Sequence, residues 1–217
     1  MSMDKMIPLM LNGIKDTLYM TTVSTLFAYL LGLPLAILLV LTAPSGLKPQ
    51  KLVYRLLDAV VNIFRSIPFL ILMILVIPVT RAIAGKAYGS TATIVPLVIA
   101  AAPYVARMIE SSLLEVDSGV IEAAQSMGCS KLGIIFRVYI RESIPALSRG
   151  ITITLINLVG LTAMAGAVGA GGLGNFAYVQ GVQRNYYDII VAAVIVLVLI
   201  VQVIQIIGNI IAKKTEK

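Results

Sequence analysis

Histidine and tryptophan are absent from this 217-residue chain, cysteine occurs once, and only 12% of the residues are charged. Without histidine the chain lacks the commonest general base near neutral pH and the commonest metal ligand. That argues against hydrolytic chemistry, and no catalytic, metal or cofactor-binding residue is expected. The single cysteine, Cys129, excludes an intrachain disulfide. So few charges cannot furnish the surface of a soluble domain of this size. The hydrophobic residues, 59% of the chain, instead fall into runs long enough to cross a membrane.

Five such runs, of 18 to 25 residues, occupy 17–41, 67–84, 91–114, 151–168 and 189–212. Each approaches the roughly 20 residues that an α-helix needs to span a hydrocarbon core about 30 Å thick. An odd number puts the termini on opposite sides. If the loop after the first run, the segment between the third and fourth, and the tail share one side, that side holds 12 of the 17 Lys and Arg residues, and Lys5, Lys15, Arg81, Lys86 and Arg184 lie opposite. Basic residues mark the cytoplasm. The expectation is therefore an all-α membrane protein of five transmembrane helices, one domain over 1–217, N-terminus outside and C-terminus cytoplasmic. The net charge of +7 is then a topology signal, and no nucleic acid is implied. Lys5 precedes only a short apolar run ending at Asn12, with no small-residue cleavage site, so the first span is expected to be retained.

Pro68, Pro78, Pro96 and Pro103 fall in or beside the second and third spans. Each removes a backbone donor, so these helices are expected to bend and to sit inside a bundle where the freed carbonyls find partners. No Asp, Glu, Lys or Arg is expected near the centre of a span. Arg65 and Arg107 are placed near the cytoplasmic ends of spans two and three, snorkelling to the headgroups or, for Arg107, pairing with Glu110.

The sizeable non-membrane piece is about 115–149, and it reads as two short helices. Asp117 or Ser118 caps the first, which runs through Glu122, Ala123 and Ala124 to Met127, and Gly128 stands where a left-handed C-terminal cap is wanted. Ser130 starts the second, on which Leu132, Ile135, Phe136 and Tyr139 form an apolar stripe against Lys131, Arg137 and Arg141.

Glu122-Ala123-Ala124, three residues, Gly128, nine residues, then Val138 resembles the EAA loop of ATP-binding-cassette importer permeases. That family's usual Leu-Pro pair is replaced by Ile140-Arg141, and Ile144-Pro145 follows four residues later. The resemblance extends to Asn62-Ile63-Phe64-Arg65-Ser66-Ile67-Pro68-Phe69, to Ile94-Val95-Pro96-Leu97, to Ala106-Arg107-Met108 and to Gly169-Ala170-Gly171-Gly172-Leu173-Gly174, which are similar to the methionine-uptake branch. It implies a type I importer fold and a homodimer in the bacterial inner membrane. It also implies two separate ATPase subunits that bring ATP and Mg and dock on a coupling loop of Glu122, Ala123, Ala124, Met127 and Gly128. An extracytoplasmic substrate-binding (lipo)protein would deliver methionine, L or D. A permease for another small polar solute fits the same residues. An ATP-independent secondary carrier is the reading of a different class, and the lack of an intramembrane relay disfavours it.

Three further patterns lie in or beside the last two spans. Gly169-x-Gly171-x-x-Gly174 matches the dinucleotide fingerprint in letters only, because it follows a membrane helix with no βαβ unit around it. Its small residues instead suit close helix packing. Span four carries Asn157, Thr162 and Met164, which are candidates for the pathway and its gate. Gln202, Gln205 and Asn209 recur along span five as a polar stripe expected to bond neighbouring helices.

Overall fold

The computed structural model describes residues 3–215; Lys217, counted above among the cytoplasmic charges, lies outside them. All the regular elements among them are helical. They are α1 (Met3–Thr42), α2 (Lys51–Ser66), α3 (Phe69–Leu75), α4 (Ile77–Ala84), α5 (Ser90–Leu114), α6 (Ser118–Ser126), α7 (Lys131–Ile134), a π-helical segment (Ile135–Tyr139), α8 (Ile140–Glu142), α9 (Ile144–Gly166), α10 (Gly172–Phe176), a second π-helical segment (Ala177–Gln183) and α11 (Tyr187–Thr215).

α1, α5, α9 and α11 are each long and apolar enough to cross a membrane, and a fifth span exists only if α2 and α3, bent by 104°, count as one broken span. The second span, expected over 67–84 as a bent helix, is therefore corrected: it is broken into separate pieces. Ile67, held extended at ψ 123 ahead of Pro68, cannot continue α2, and the helix resumes as two pieces of seven and eight residues. Pro78 occupies the first turn of α4, where a missing N–H removes no helical bond. Only Pro96 and Pro103 lie inside a helix of this pair of spans, and both are buried in α5. The first span also departs from expectation: α1 starts at Met3 and has 40 residues, about 60 Å of helix, twice a hydrocarbon core.

α5 is the hub. Its most extensive contact is with α1, where Ala28, Gly32 and Ala36 recur at every fourth position and the two alanines are buried; a Cβ on Gly32 would lie 2.8 Å from the Val105 side chain and 3.0 Å from the Ala102 carbonyl. Small residues at this spacing let the two backbones approach, which is how helices gain dispersion contact in lipid. α9 packs on α1, α5 and α11. At its C-terminal end a Cβ on Gly174 would lie 2.2 Å from the Ala163 carbonyl, so α10 and α9 touch backbone to backbone. Leu173 N–H donates to the Thr17 hydroxyl at 2.9 Å and ties the same corner to α1. The glycine-rich run thus serves packing.

α11 is the outlier, with most of its surface uncovered by this chain. Gln205 donates to Asn209 within the helix at 3.0 Å, and Gln202 and Asn209 are exposed. Gln205 and Asn209 of the polar stripe therefore bond each other, and among the described residues the stripe does not bridge to neighbouring helices.

Candidate functional site

Segment 115–149 folds much as its caps require. The Asp117 carboxylate accepts from the Gly119 N–H at 2.6 Å and opens α6; the Ser130 hydroxyl accepts from the Gly133 N–H at 3.1 Å and opens α7. Between them Gly128 has φ 75, with its N–H bonded to the Gln125 carbonyl at 2.9 Å while Cys129 N–H reaches Ala124 at 3.1 Å. A Cβ on Gly128 would meet nothing within 4 Å, so backbone handedness alone selects glycine there. Glu122, Ala123, Met127 and Gly128 are exposed, whereas Ala124 is buried in a cluster with Ile134, Ile135 and Tyr139. The hairpin presents a free face with Met127 at its tip, 76% exposed.

The second helix of this segment differs from expectation. Ile134, Ile135 and Tyr139 are buried, but Leu132 and Phe136 are 64% and 58% exposed. Phe136 lies in the π turn over Ile135–Tyr139, whose i→i+5 bonding shifts its side chain from the α-helical register; Leu132 precedes that turn, in α7. Burial pushes the Tyr139 phenol above its ordinary pKa. The Ser143 hydroxyl then donates to the Ser112 carbonyl at 2.9 Å and fastens the start of α9 to α5.

Sequence reasoning missed an ionic cluster between α2 and α5. Arg107 pairs with both Asp58 of α2 and Glu110 one turn further along α5, the latter at 2.7 Å. Arg107 also donates to the Asn62 amide oxygen at 3.2 Å, and the Tyr54 hydroxyl reaches Glu110 at 3.5 Å. Glu110 is 2% exposed. The Glu110 partner was legible from its i,i+3 spacing; Asp58, 49 residues away, was not. Arg107 is therefore held in a protein-internal network and does not reach out to headgroups.

The pathway candidates separate. Asn157 and Met164, seven residues apart, are exposed on one face of α9, while Thr162 is 1% exposed, its hydroxyl donating to the Val159 carbonyl at 2.7 Å. Asn157 lines a cavity of about 240 Å³ with Phe69, Tyr104, Leu161 and Arg65. Arg65 and Tyr104 also line an adjoining cavity of about 450 Å³ that contains Arg107 and Arg149. Arg65, in the last turn of α2, therefore lines both cavities beside Tyr104.

Residues 28–217 match the family model described as binding-protein-dependent transport system inner membrane component. The D-methionine transport system permease protein MetI of Yersinia pestis is 48% identical over 153 residues, 70% of each chain, and that of Escherichia coli K12 is 45% identical over the same length and share. A solved chain from the inward-facing MetNI methionine ABC transporter superposes over the whole of both chains with a TM-score of 0.97 at 43% identity. An amino acid ABC transporter chain at 21% identity and TM-score 0.82, covering 98% of this chain and 96% of its own, shares the fold. The chain belongs to the family of inner membrane components of binding-protein-dependent transport systems.

Proposed function

We propose that this chain is the permease subunit of an ATP-binding-cassette importer that moves methionine into the cytoplasm. The observation that carries the reading is the full-length superposition on a methionine transporter chain, joined to an exposed, doubly capped hairpin at the position of the EAA resemblance. The chain itself makes no bonds. Two copies line one pathway, and two ATPase subunits supply ATP and Mg. A binding protein delivers the solute on the outer side.

In this arrangement the N-terminus is outside and the free face of Glu122, Ala123, Met127 and Gly128 docks in the ATPase. Closure of the ATPase pair moves α6; α6 is joined through Val116 to α5 and rests on the π segment, so the displacement passes to the helix hub, which has two packed arrangements. Asn157 and Met164 face the pathway, Met164 narrowing it near the symmetry axis, while Thr162 steadies α9 from behind.

The test is ATP-driven uptake of labelled methionine by vesicles holding this chain with its ATPase and binding protein. Gly128→Val places a β-branched residue at positive φ and is expected to abolish uptake, whereas Gly128→Asn, which tolerates that conformation, retains most of it. Equal uptake by both variants would defeat the coupling assignment, and no uptake by wild type would defeat methionine.

A further inference from the structure

We infer that Arg65 is a solute-binding residue, which receives the carboxylate of the transported amino acid partway across the membrane. This rests on the proposed function and adds the residue that recognises the solute.

Depth comes first. The Arg65 cavity is shared with Tyr104 and Asn157. Tyr104 stands 10 residues before the end of α5 and 14 after its start, about 15 and 21 Å of helix. Asn157 stands 13 residues after the start of α9 and 9 before its end, about 20 and 14 Å. Both landmarks are central in their helices, so the smaller cavity reaches the middle turns of α5 and α9, while the adjoining cavity that Arg65 also lines runs on to Glu115 and Arg149 near the helix ends. Arg65 thus stands where the two cavities meet, and a charged side chain facing the inside of a helix bundle marks a route and its cargo.

The charge is also uncommitted. Arg107, in the adjoining cavity, spends its guanidinium on Asp58, Glu110 and Asn62. Arg65 has no ion-pair or hydrogen-bond partner among the described residues. α2 ends at Ser66 and the chain turns at Pro68, so the 104° bend is what leaves Arg65 at this level instead of on a continuing helix.

The surroundings suit a zwitterion with an apolar side chain. Asn157 and Tyr104 offer neutral donors beside the guanidinium, and Phe69 and Leu161 supply an apolar wall. A volume of about 240 Å³ is below the roughly 300 to 1,000 Å³ typical of drug-sized ligands, the scale of one small solute. A guanidinium stays charged at every working pH and matches a carboxylate with two parallel donors. One cation with neutral helpers holds a solute weakly enough to release it, as passage requires.

The experiment compares wild type, Arg65→Gln and Arg65→Lys in vesicles holding equal amounts of the complete importer, reading labelled L-methionine uptake and ATP turnover together. The expected result is uptake at least about tenfold lower in Arg65→Gln, ATP turnover stimulated by the loaded binding protein within twofold of wild type, and intermediate uptake in Arg65→Lys. Wild-type uptake by Arg65→Gln, a Lys variant no better than Gln, or uptake and ATP turnover falling in parallel would overturn the assignment. A Gln defect seen only in vesicles of anionic phospholipid, and absent in zwitterionic lipid, would make a lipid phosphate the partner and overturn it as well. Absence of uptake by wild type is the separate result that refutes the methionine reading and this assignment with it, whereas loss confined to Arg65→Gln leaves that reading intact.

Discussion

At the scale of single residues, buried charge dominates the energetics of this chain. The Glu110 side chain is 3% exposed, against 33% for Asp58, and both depend on Arg107. Removing one member of a buried pair leaves the other unpaired, at a cost of about 3 to 5 kcal/mol. Arg107→Ala, which strands Glu110, is therefore expected to destabilise most. Glu110→Ala, which leaves Arg107 with Asp58, costs less, and Asp58→Ala least. The double variant Arg107→Ala/Glu110→Ala should recover part of the single-variant loss, because the stranded carboxylate is gone. Thermal aggregation of the detergent-solubilised complex, followed by size exclusion, reads the order. Equal losses for all three single variants would mean that burial is not the controlling variable. None of this ranking was readable from the sequence, because the partner on α2 is brought in by the bend at Pro68 and not by local spacing.

At the scale of elements, legibility follows length and self-sufficiency. The spans at 91–114 and 189–212 fall within three residues of α5 and α11 at each end, because a long apolar run is helical regardless of its neighbours. The caps at Asp117, Gly128 and Ser130 were legible for a similar reason: capping is decided within four residues. The broken second span and the two π segments were not, since no composition marks an i→i+5 turn, and α3 and α4 are held by tertiary contact with α5. The α9 and α10 corner is a sharp test of such contact. Gly174→Ala would put a methyl group 2.2 Å from a backbone carbonyl, which cannot move aside as a side chain can. A loss of about 1 to 3 kcal/mol is expected, toward the upper end. Gly160→Ala, on α9, meets nothing within 4 Å among the described residues and is expected to melt near wild type. The same thermal assay distinguishes the two, and comparable losses would contradict the close backbone contact.

At the scale of the whole molecule, the most apolar surface is the least covered. α11 exposes Val191, Val194, Val198 and Ile206 among others, and α9 exposes Ile153, Asn157 and Met164. Lipid or a second copy must meet these faces. The proposed two-fold axis near Met164 makes a direct prediction. In a Cys129→Ser background, which removes the only cysteine, Met164→Cys is expected to cross-link two copies under mild oxidation, whereas Val194→Cys is not. A dimer band on a non-reducing gel from Val194→Cys alone would move the axis to α11 and remove Met164 from the gate.

The broken span also bears on how the protein enters its membrane. A helix leaves the insertion machinery for lipid on the strength of its own apolar length, and α1, α5, α9 and α11 each qualify alone. α3 and α4, of seven and eight residues, do not, and α2 brings Asp58, Asn62 and Arg65 with it. Asn62 donates to Asp58 within α2 at 3.1 Å, but the Asp58 charge gains its cation, and Arg65 its cavity, only once α5 is present to offer Arg107 and Tyr104. Residues 51–84 are therefore expected to settle into lipid only together with a helix synthesised after them, so that the order of integration departs from the order of synthesis.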